Sequence, residues 1–216
     1  MLTIHHTSEY SLICSLPPPA ELSKQQSIWQ LSELAQDLPG VVETVVGMNN
    51  LTLFYQFHID PLPLIHELQQ LWEKVQLQKT HFQGKLVEIP VHYGGEFGED
   101  LHYVAKYHHT TAKEIINRHT TPVYTVFMMG FQPGFPYLGG LPESLHTPRR
   151  DEPRTRVPAG SVGIGGSQTG IYPFTSPGGW QLLGRTEIQL FDVNQSQPIL
   201  LKAGDQVRFV VEDMTL

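Results

Sequence analysis

Four arginines, Arg149, Arg150, Arg154 and Arg156, fall within one short stretch of the 216-residue chain, punctuated by Pro148, Pro153 and Pro158. A guanidinium presents a flat fork of donors that matches a carboxylate or a phosphate in bidentate fashion. Proline between such residues fixes backbone φ and limits the freedom lost when they converge. The pattern is that of an anion clamp. The competing reading is a solvated loop in which the arginines pair with their neighbours Asp151 and Glu152. On either side, Phe131, Pro133, Phe135 and Tyr137, then Tyr172, Gly178, Gly179 and Trp180, offer the apolar and backbone surfaces that line small-molecule pockets.

Between these aromatic groups lies Gly160-Ser161-Val162-Gly163-Ile164-Gly165-Gly166-Ser167, followed by Gln168. It has the outline of a phosphate-binding loop, but Gly166 stands where the lysine that meets the terminal phosphates is required. Without that charge, backbone N–H groups from Gly160, Ser161, Gly163, Gly165 and Gly166 can still form a nest for an anion. Tight turns between strands are the plainer alternative. Ser161 sits in a run that faintly resembles a nucleophile elbow, yet no helix pattern follows it, so a serine hydrolase is not expected. Eleven histidines raise the question of a metal. His66-Glu67 begins like a zinc-binding helix, but Gln70 occupies the place of the second histidine. His5-His6 and His108-His109 are adjacent pairs, and helix neighbours do not face one another. No metal site is expected.

A net charge of −7 argues against a nucleic-acid binder, which needs a broad basic surface. The arginine cluster is too compact for a duplex footprint. The single cysteine, Cys14, excludes an internal disulfide and sits in an apolar run, as a buried thiol would. The N-terminus lacks a basic region followed by an apolar stretch, and no run approaches the ~18 apolar residues of a membrane helix. A cytoplasmic protein with no membrane partner is expected.

The elements that must position the arginines follow from periodicity. Tyr10–Leu16 reads as a strand stopped by Pro17-Pro18-Pro19. Ile28, Leu31, Leu34, Ala35 and Leu38 recur at helical spacing, with Ser23 and Gln26 as a capping box and Pro39-Gly40 as the stop. Val41–Val46 and Leu51–Phe57 form a hairpin pattern, and a second helix runs from Pro61 to Gln78 with Leu64, Leu68, Leu71, Trp72 and Val75 on one face. The order β-α-β-β-α predicts a ferredoxin-like layer. A linker is expected at residues 79–85, dividing an α/β domain at 1–84 from a second domain at 85–216. There, Leu86–Tyr93 reads as a strand and Asp100–His109 as a helix, and Thr111 to Glu114 caps a helix ending near His119. Val123–Met129, Ser161–Ile164, Ile188–Val193, Ile199–Leu201 and Val207–Val211 follow as short strands between Gly/Pro-rich loops, the pattern of a barrel or sandwich. The fold class is α+β.

The motifs GFQPGFPYLGGLP, TPRRDEPRTRVPAGSVGIGG, QTGIYPFTSPGGWQLLGRT and HYGGEFGEDL closely resemble the family of bacterial 5-oxoprolinase B subunits. That family also includes the KipI-type inhibitors of a sporulation histidine kinase and proteins once labelled allophanate hydrolase subunit 1. GMNNLT at Gly47 to Thr52 looks closest to the 5-oxoprolinase branch. The resemblance, over residues 10–212, implies a cyclophilin-like β-barrel after the small α/β domain. It also implies action with A and C subunits, using ATP and Mg²⁺, to open 5-oxo-L-proline to L-glutamate, with no activity expected of this chain alone. On that reading one of the four arginines grips the substrate carboxylate or the ATP phosphates, and Gly160 to Gly166 contribute N–H donors. Phe135, Tyr137 and Trp180 shape the pocket, and Asp100 and His119 are candidates for proton transfer or metal contact. The alternative is a KipI-type regulatory protein that docks on a kinase. A cyclophilin-like fold does not by itself imply prolyl isomerase activity.

Overall fold

A computed structural model describes residues 1–78, 82 and 84–216, which fall into two compact units, Met1–Gln83 and Gly84–Leu216. The linker expected at 79–85 lies largely outside the described residues.

In the first unit, β1 (Thr3–Ser8), β2 (Ser11–Ser15), β3 (Val41–Gly47) and β4 (Asn50–Tyr55) form an antiparallel sheet in the order β1-β2-β4-β3. Alternation sends Leu12 and Cys14 of β2 and Leu51, Leu53 and Tyr55 of β4 to one face. There they are buried together with Ile28, Leu31 and Ala35 of α1 (Leu22–Ala35) and Leu64, Leu68 and Val75 of α2 (Pro61–Leu77). Burial pushes the Cys14 thiol up to about 12, so it is an inert core group. The outer strand β1 departs from a ferredoxin-like order, in which the fourth strand follows the second helix. Here it precedes the first, in a hairpin with β2. The expected Ser23–Gln26 capping box does not form, because α1 already begins at Leu22, leaving Ser23 inside its first turn. In α2 the Asp60 side chain accepts from the Leu62 N–H at 3.0 Å, with Pro61 opening the helix.

In the second unit a closed barrel runs β10-β7-β6-β13-β5-β12-β9. Its strands are β5 (Leu86–Gly94), β6 (Tyr124–Met129), β7 (Pro136–Gly139), β9 (Ser161–Gly165), β10 (Gln168–Ile171), β12 (Gln181–Arg185) and β13 (Gln206–Thr215). Two short helices, α3 (Leu101–Tyr107) and α4 (Ala112–Thr120), lie between β5 and β6, and Thr111 caps α4 through the Glu114 N–H at 3.2 Å. A separate ribbon pairs β8 (Arg154–Val157) with β11 (Ser176–Gly178). The strands expected at Ile188–Val193 and Ile199–Leu201 are replaced by loop with a single Phe191–Ile199 bridge. Asp192 turns the chain there by accepting from the Asn194 N–H. No described helix is long and apolar enough to cross a membrane.

Replacing Asp60 by Ala leaves the first N–H groups of α2 without their side-chain acceptor and should cost about 1 kcal/mol. Urea denaturation of the wild type and Asp60→Ala measures this, and an unchanged midpoint would remove the cap from the account.

Candidate functional site

The turn His92–Asp100 brings a carboxylate into the barrel wall. Gly94 and Gly95 adopt φ of +75° and +52°, and a side chain at Gly98 would collide with the Leu183 carbonyl. Asp100 lands against the start of β12, where its N–H donates to Leu182 O at 3.0 Å and its Oδ2 accepts from the Leu182 N–H at 2.7 Å. Its Oδ1 accepts from Arg150 Nη1 at 3.1 Å and Arg154 Nη2 at 2.8 Å, and Arg154 Nη2 also reaches Glu99 Oε2 at 3.1 Å. Burial opposes the Arg154 charge, but the bonds to Asp100 and Glu99 outweigh it and raise its pKa. Asp100 is therefore a buried anchor with both carboxylate oxygens hydrogen-bonded. No group of three or more His, Cys, Asp or Glu side chains among the described residues is placed to hold a metal.

The four arginines separate into two kinds. Arg150 and Arg154 are engaged by Asp100 and Glu99, not by the neighbouring Asp151 and Glu152 carboxylates. Arg156, next but one along β8, is exposed and has no acidic partner among the described residues. Arg149 is exposed too, but its guanidinium lies 5.8 Å from the centre of the Trp180 ring. Its backbone is held on both sides: Arg150 N–H donates to Gly179 O at 2.8 Å and Gln181 Nε2 donates to Pro148 O at 3.0 Å.

Arg149 stands at the edge of a hollow of about 270 Å³ lined also by Phe131, Phe135, Tyr137, Pro153, Tyr172, Pro177, Gly178, Gly179 and Trp180. Phe135, Tyr172 and Trp180 are almost wholly buried and meet edge to face, with ring centres 5.2 Å (Phe135–Tyr172) and 5.6 Å (Phe135–Trp180) apart. Phe131 forms an exposed lip, with its backbone at φ +65°. Burial raises the pKa of both phenols, Tyr137 and Tyr172, against the opposing pull of Arg149, so both keep their protons. Of the residues expected to form the walls, Pro133 is exposed and does not line the hollow, whereas Pro153, not expected, does. The sequence marks Pro153 as one of the prolines between the arginines, but nothing in it shows that the ring faces the aromatic walls. Glu99 is a second unexpected contributor, although it sits beside Asp100.

The glycine-rich segment is not a phosphate cradle. Ser161 to Gly165 form β9, paired on one side with β10 and on the other with β12, and Gln168 opens β10 opposite Gly165. At its ends the Gly160 N–H donates to Tyr172 O, the Ser161 N–H to Pro158 O and the Gly166 N–H to Thr147 O, so these donors are already engaged. The glycines serve packing instead. A side chain at Gly165 would land on the Trp180 indole, and one at Gly170 would meet Trp180, Phe135 and the Pro136 carbonyl. At Gly163 the fit is looser, with an added Cβ 3.0 Å from the Gln181 carbonyl oxygen.

His119 is not beside Asp100 or the hollow. It is fully buried in the barrel, stacked on Phe209 at 4.5 Å between ring centres. Thr169 Oγ1 donates to Gly163 O at 3.0 Å, so its 2.9 Å contact with His119 Nε2 has the imidazole as donor. Nδ1 then accepts from the Tyr93 hydroxyl at 2.8 Å. With both ring nitrogens satisfied, burial lowers the His119 pKa to about 3.

Residues 2–201 match the family described as carboxyltransferase domain, subdomain C and D. The chain is 59% identical over 209 residues to the 5-oxoprolinase B subunit of Haemophilus influenzae, covering 97% of each chain. It is 49% identical over 204 residues to the protein of that name from Escherichia coli O157:H7, covering 94% of this chain and 92% of the relative. The crystal structure of TTHA0988 superposes with a TM-score of 0.78 at 34% identity, covering 94% of this chain. This chain spans 40% of the TTHA0988 chain.

Two outcomes test this geometry. Asp100→Asn removes the charge that Arg150 and Arg154 share, leaving Glu99 on Arg154 alone, and should cost roughly 3 kcal/mol, the low end for a broken buried pair because Arg150 is 36% exposed and Arg154 keeps one partner. For a chain of this size that lowers Tm by on the order of 10 °C by calorimetry; a fall under about 2 °C would show that Asp100 does not hold the site. Between pH 6.5 and about 3 the unfolded chain binds a proton that folded His119 refuses, so stability falls as pH drops through that window. The loss from pH 7 to 5 attributable to this group is on the order of 2 kcal/mol. His119→Gln should flatten the pH dependence of the urea midpoint, and identical slopes in variant and wild type would assign it elsewhere.

Proposed function

Because the chain belongs to the family of 5-oxoprolinase B subunits, we propose that it works as one subunit of an ATP-dependent complex with A and C subunits that opens 5-oxo-L-proline to L-glutamate. The name carried by the matched relatives favours this over a kinase inhibitor. A lactam is a resonance-stabilised amide with a poor leaving group, and ATP with Mg²⁺, used by the complex, supplies the activation that its opening needs. This chain does not fit the nucleotide: the glycine segment lacks the lysine and its terminal N–H groups are engaged. Its contribution is the hollow beside Arg149, an aromatic pocket with one guanidinium that has no acidic partner among the described residues. We assign the closed barrel to the cyclophilin-like kind and the first unit to a ferredoxin-like variant with its outer strand supplied from the N-terminus. The complex is placed in the cytoplasm, where Cys14 stays reduced.

The carrying observation is the identity to 5-oxoprolinase relatives along nearly the whole chain. Purified A and C subunits are assayed for glutamate formed from 5-oxo-L-proline and ATP, with and without this chain. Turnover should require it, and the chain alone should be inert. Glutamate formed at the same rate in its absence would remove it from the catalytic unit.

A further inference from the structure

The hollow carries chemical information beyond its existence. Its lining side chains come only from Phe, Tyr, Trp, Pro and Arg, with Gly178 and Gly179 adding backbone. None bears a carboxylate or an amide. Arg149 can only donate, and Tyr137 and Tyr172 are neutral phenols able to donate. The Tyr137 hydroxyl has no hydrogen-bond partner among the described residues. Such a site is matched by a ligand whose polar atoms are acceptors and whose body is apolar.

Size and charge narrow the class. At about 270 Å³ the hollow falls below the ~300–1,000 Å³ that buries a drug-sized ligand. One small ring fits among these walls. Among the described residues one guanidinium lines the space, whereas a triphosphate calls for several cations or a row of free N–H groups. The edge-to-face contacts of Phe135, Tyr172 and Trp180 fix the walls before any ligand arrives, and Arg149 is steadied over Trp180 by the clamped backbone at Pro148 and Arg150.

We infer that this hollow takes a small cyclic monocarboxylate bearing a ring carbonyl, with Arg149 holding the carboxylate and the Tyr137 and Tyr172 hydroxyls meeting the carbonyl, and that the nucleotide binds elsewhere in the complex. The inference rests on the proposed role within a 5-oxoprolinase complex and assigns the lactam's binding site to this chain. Arg149 is then the residue that recognises the acid, and Arg150 and Arg154 are the struts behind it.

The assembled complex of the three subunits tests it, with 5-oxo-L-proline and with 2-pyrrolidinone, which keeps the lactam and lacks the carboxylate. Arg149→Ala should raise KM for 5-oxo-L-proline at least tenfold while leaving KM for ATP within twofold. Arg149→Lys should restore part of the loss. 2-Pyrrolidinone should inhibit the wild type far more weakly than an equal concentration of substrate analogue retaining the acid, and Arg149→Ala should erase that difference. Tyr137→Phe should raise KM for the lactam several-fold. Arg149 is exposed, so the variants should keep the wild-type Tm, which serves as the folding control. An unchanged KM for 5-oxo-L-proline in Arg149→Ala, or a rise confined to ATP, overturns the inference while leaving the role in the complex standing. A wild-type complex whose turnover does not depend on this chain overturns the role itself.

Discussion

The candidate site of the second unit is tied together by one carboxylate. Asp100 accepts from the backbone of Leu182 and from the guanidinium groups of Arg150 and Arg154, joining segments 82, 50 and 54 residues away. Taking a carboxylate out of water is tolerated only when opposite charge and hydrogen bonds replace the lost hydration. Here two acids, Asp100 and Glu99, face two arginines, so the cluster is close to neutral and its members hold one another. The carboxylate draws the loop that carries Arg149 against the start of β12, and the aromatic wall begins there, at Trp180. Apart from this tie the arginine loop is held by the Arg150–Gly179 backbone bond, the Gln181 side chain and, at its two ends, the Thr147–Gly166 bridge and the pairing of β8 with β11.

The hollow itself is made largely by subtraction. Trp180 and Phe135 can approach the barrel only because β9 and β10 offer no side chain at Gly165 and Gly170. Tyr172 likewise leans into the space left at Gly178, where an added Cβ would sit 2.5 Å from its hydroxyl. Large rings packed on bare backbone give flat, stiff walls, and edge-to-face contacts leave them little rotational freedom. The same glycines that suggest a phosphate loop in the sequence thus contribute to ligand binding indirectly, through the rings they admit.

What could be read from the sequence follows from where each signal originates. The helices of the first unit were legible because Ile28, Leu31, Leu64 and Leu68 repeat at the helical period and are buried as that period requires. β1 was not, since its TIHHTS sequence is mostly polar and exposed, as an edge strand can be. Thr111 and Ser23 carry the same capping pattern, yet only Thr111 precedes its helix; the difference lies in where α1 starts after the Pro17–Pro19 run. β7, β8, β10 and β11 are three or four residues long, too short for a period-2 pattern to stand out from loop. At the site, the aromatic walls and the arginine cluster were visible as composition. Their partners were not, because Asp100 lies about fifty residues upstream and a sequence does not show which arginine it meets. His119 illustrates the same limit. A histidine at the end of a helix looks available, and only the closed barrel shows that Tyr93, Thr169 and Phe209 enclose it.

The sorting of the arginines also bears on selectivity. Arg150 and Arg154 lie close to the hollow, but Asp100 and Glu99 largely cancel their field, so a guest there is drawn mainly by Arg149. The chain as a whole carries −7, which repels anions weakly at distances beyond the ~8 Å over which charges are screened at physiological salt. A singly charged guest can match one guanidinium and place its body among the rings. Each further negative charge would have to be desolvated beside aromatic walls with no cation of its own, a cost that rises steeply in a poorly hydrated space. A site with one uncompensated positive charge and an apolar interior therefore discriminates by charge number as well as by shape, and it does so because the other two arginines at its back are already neutralised.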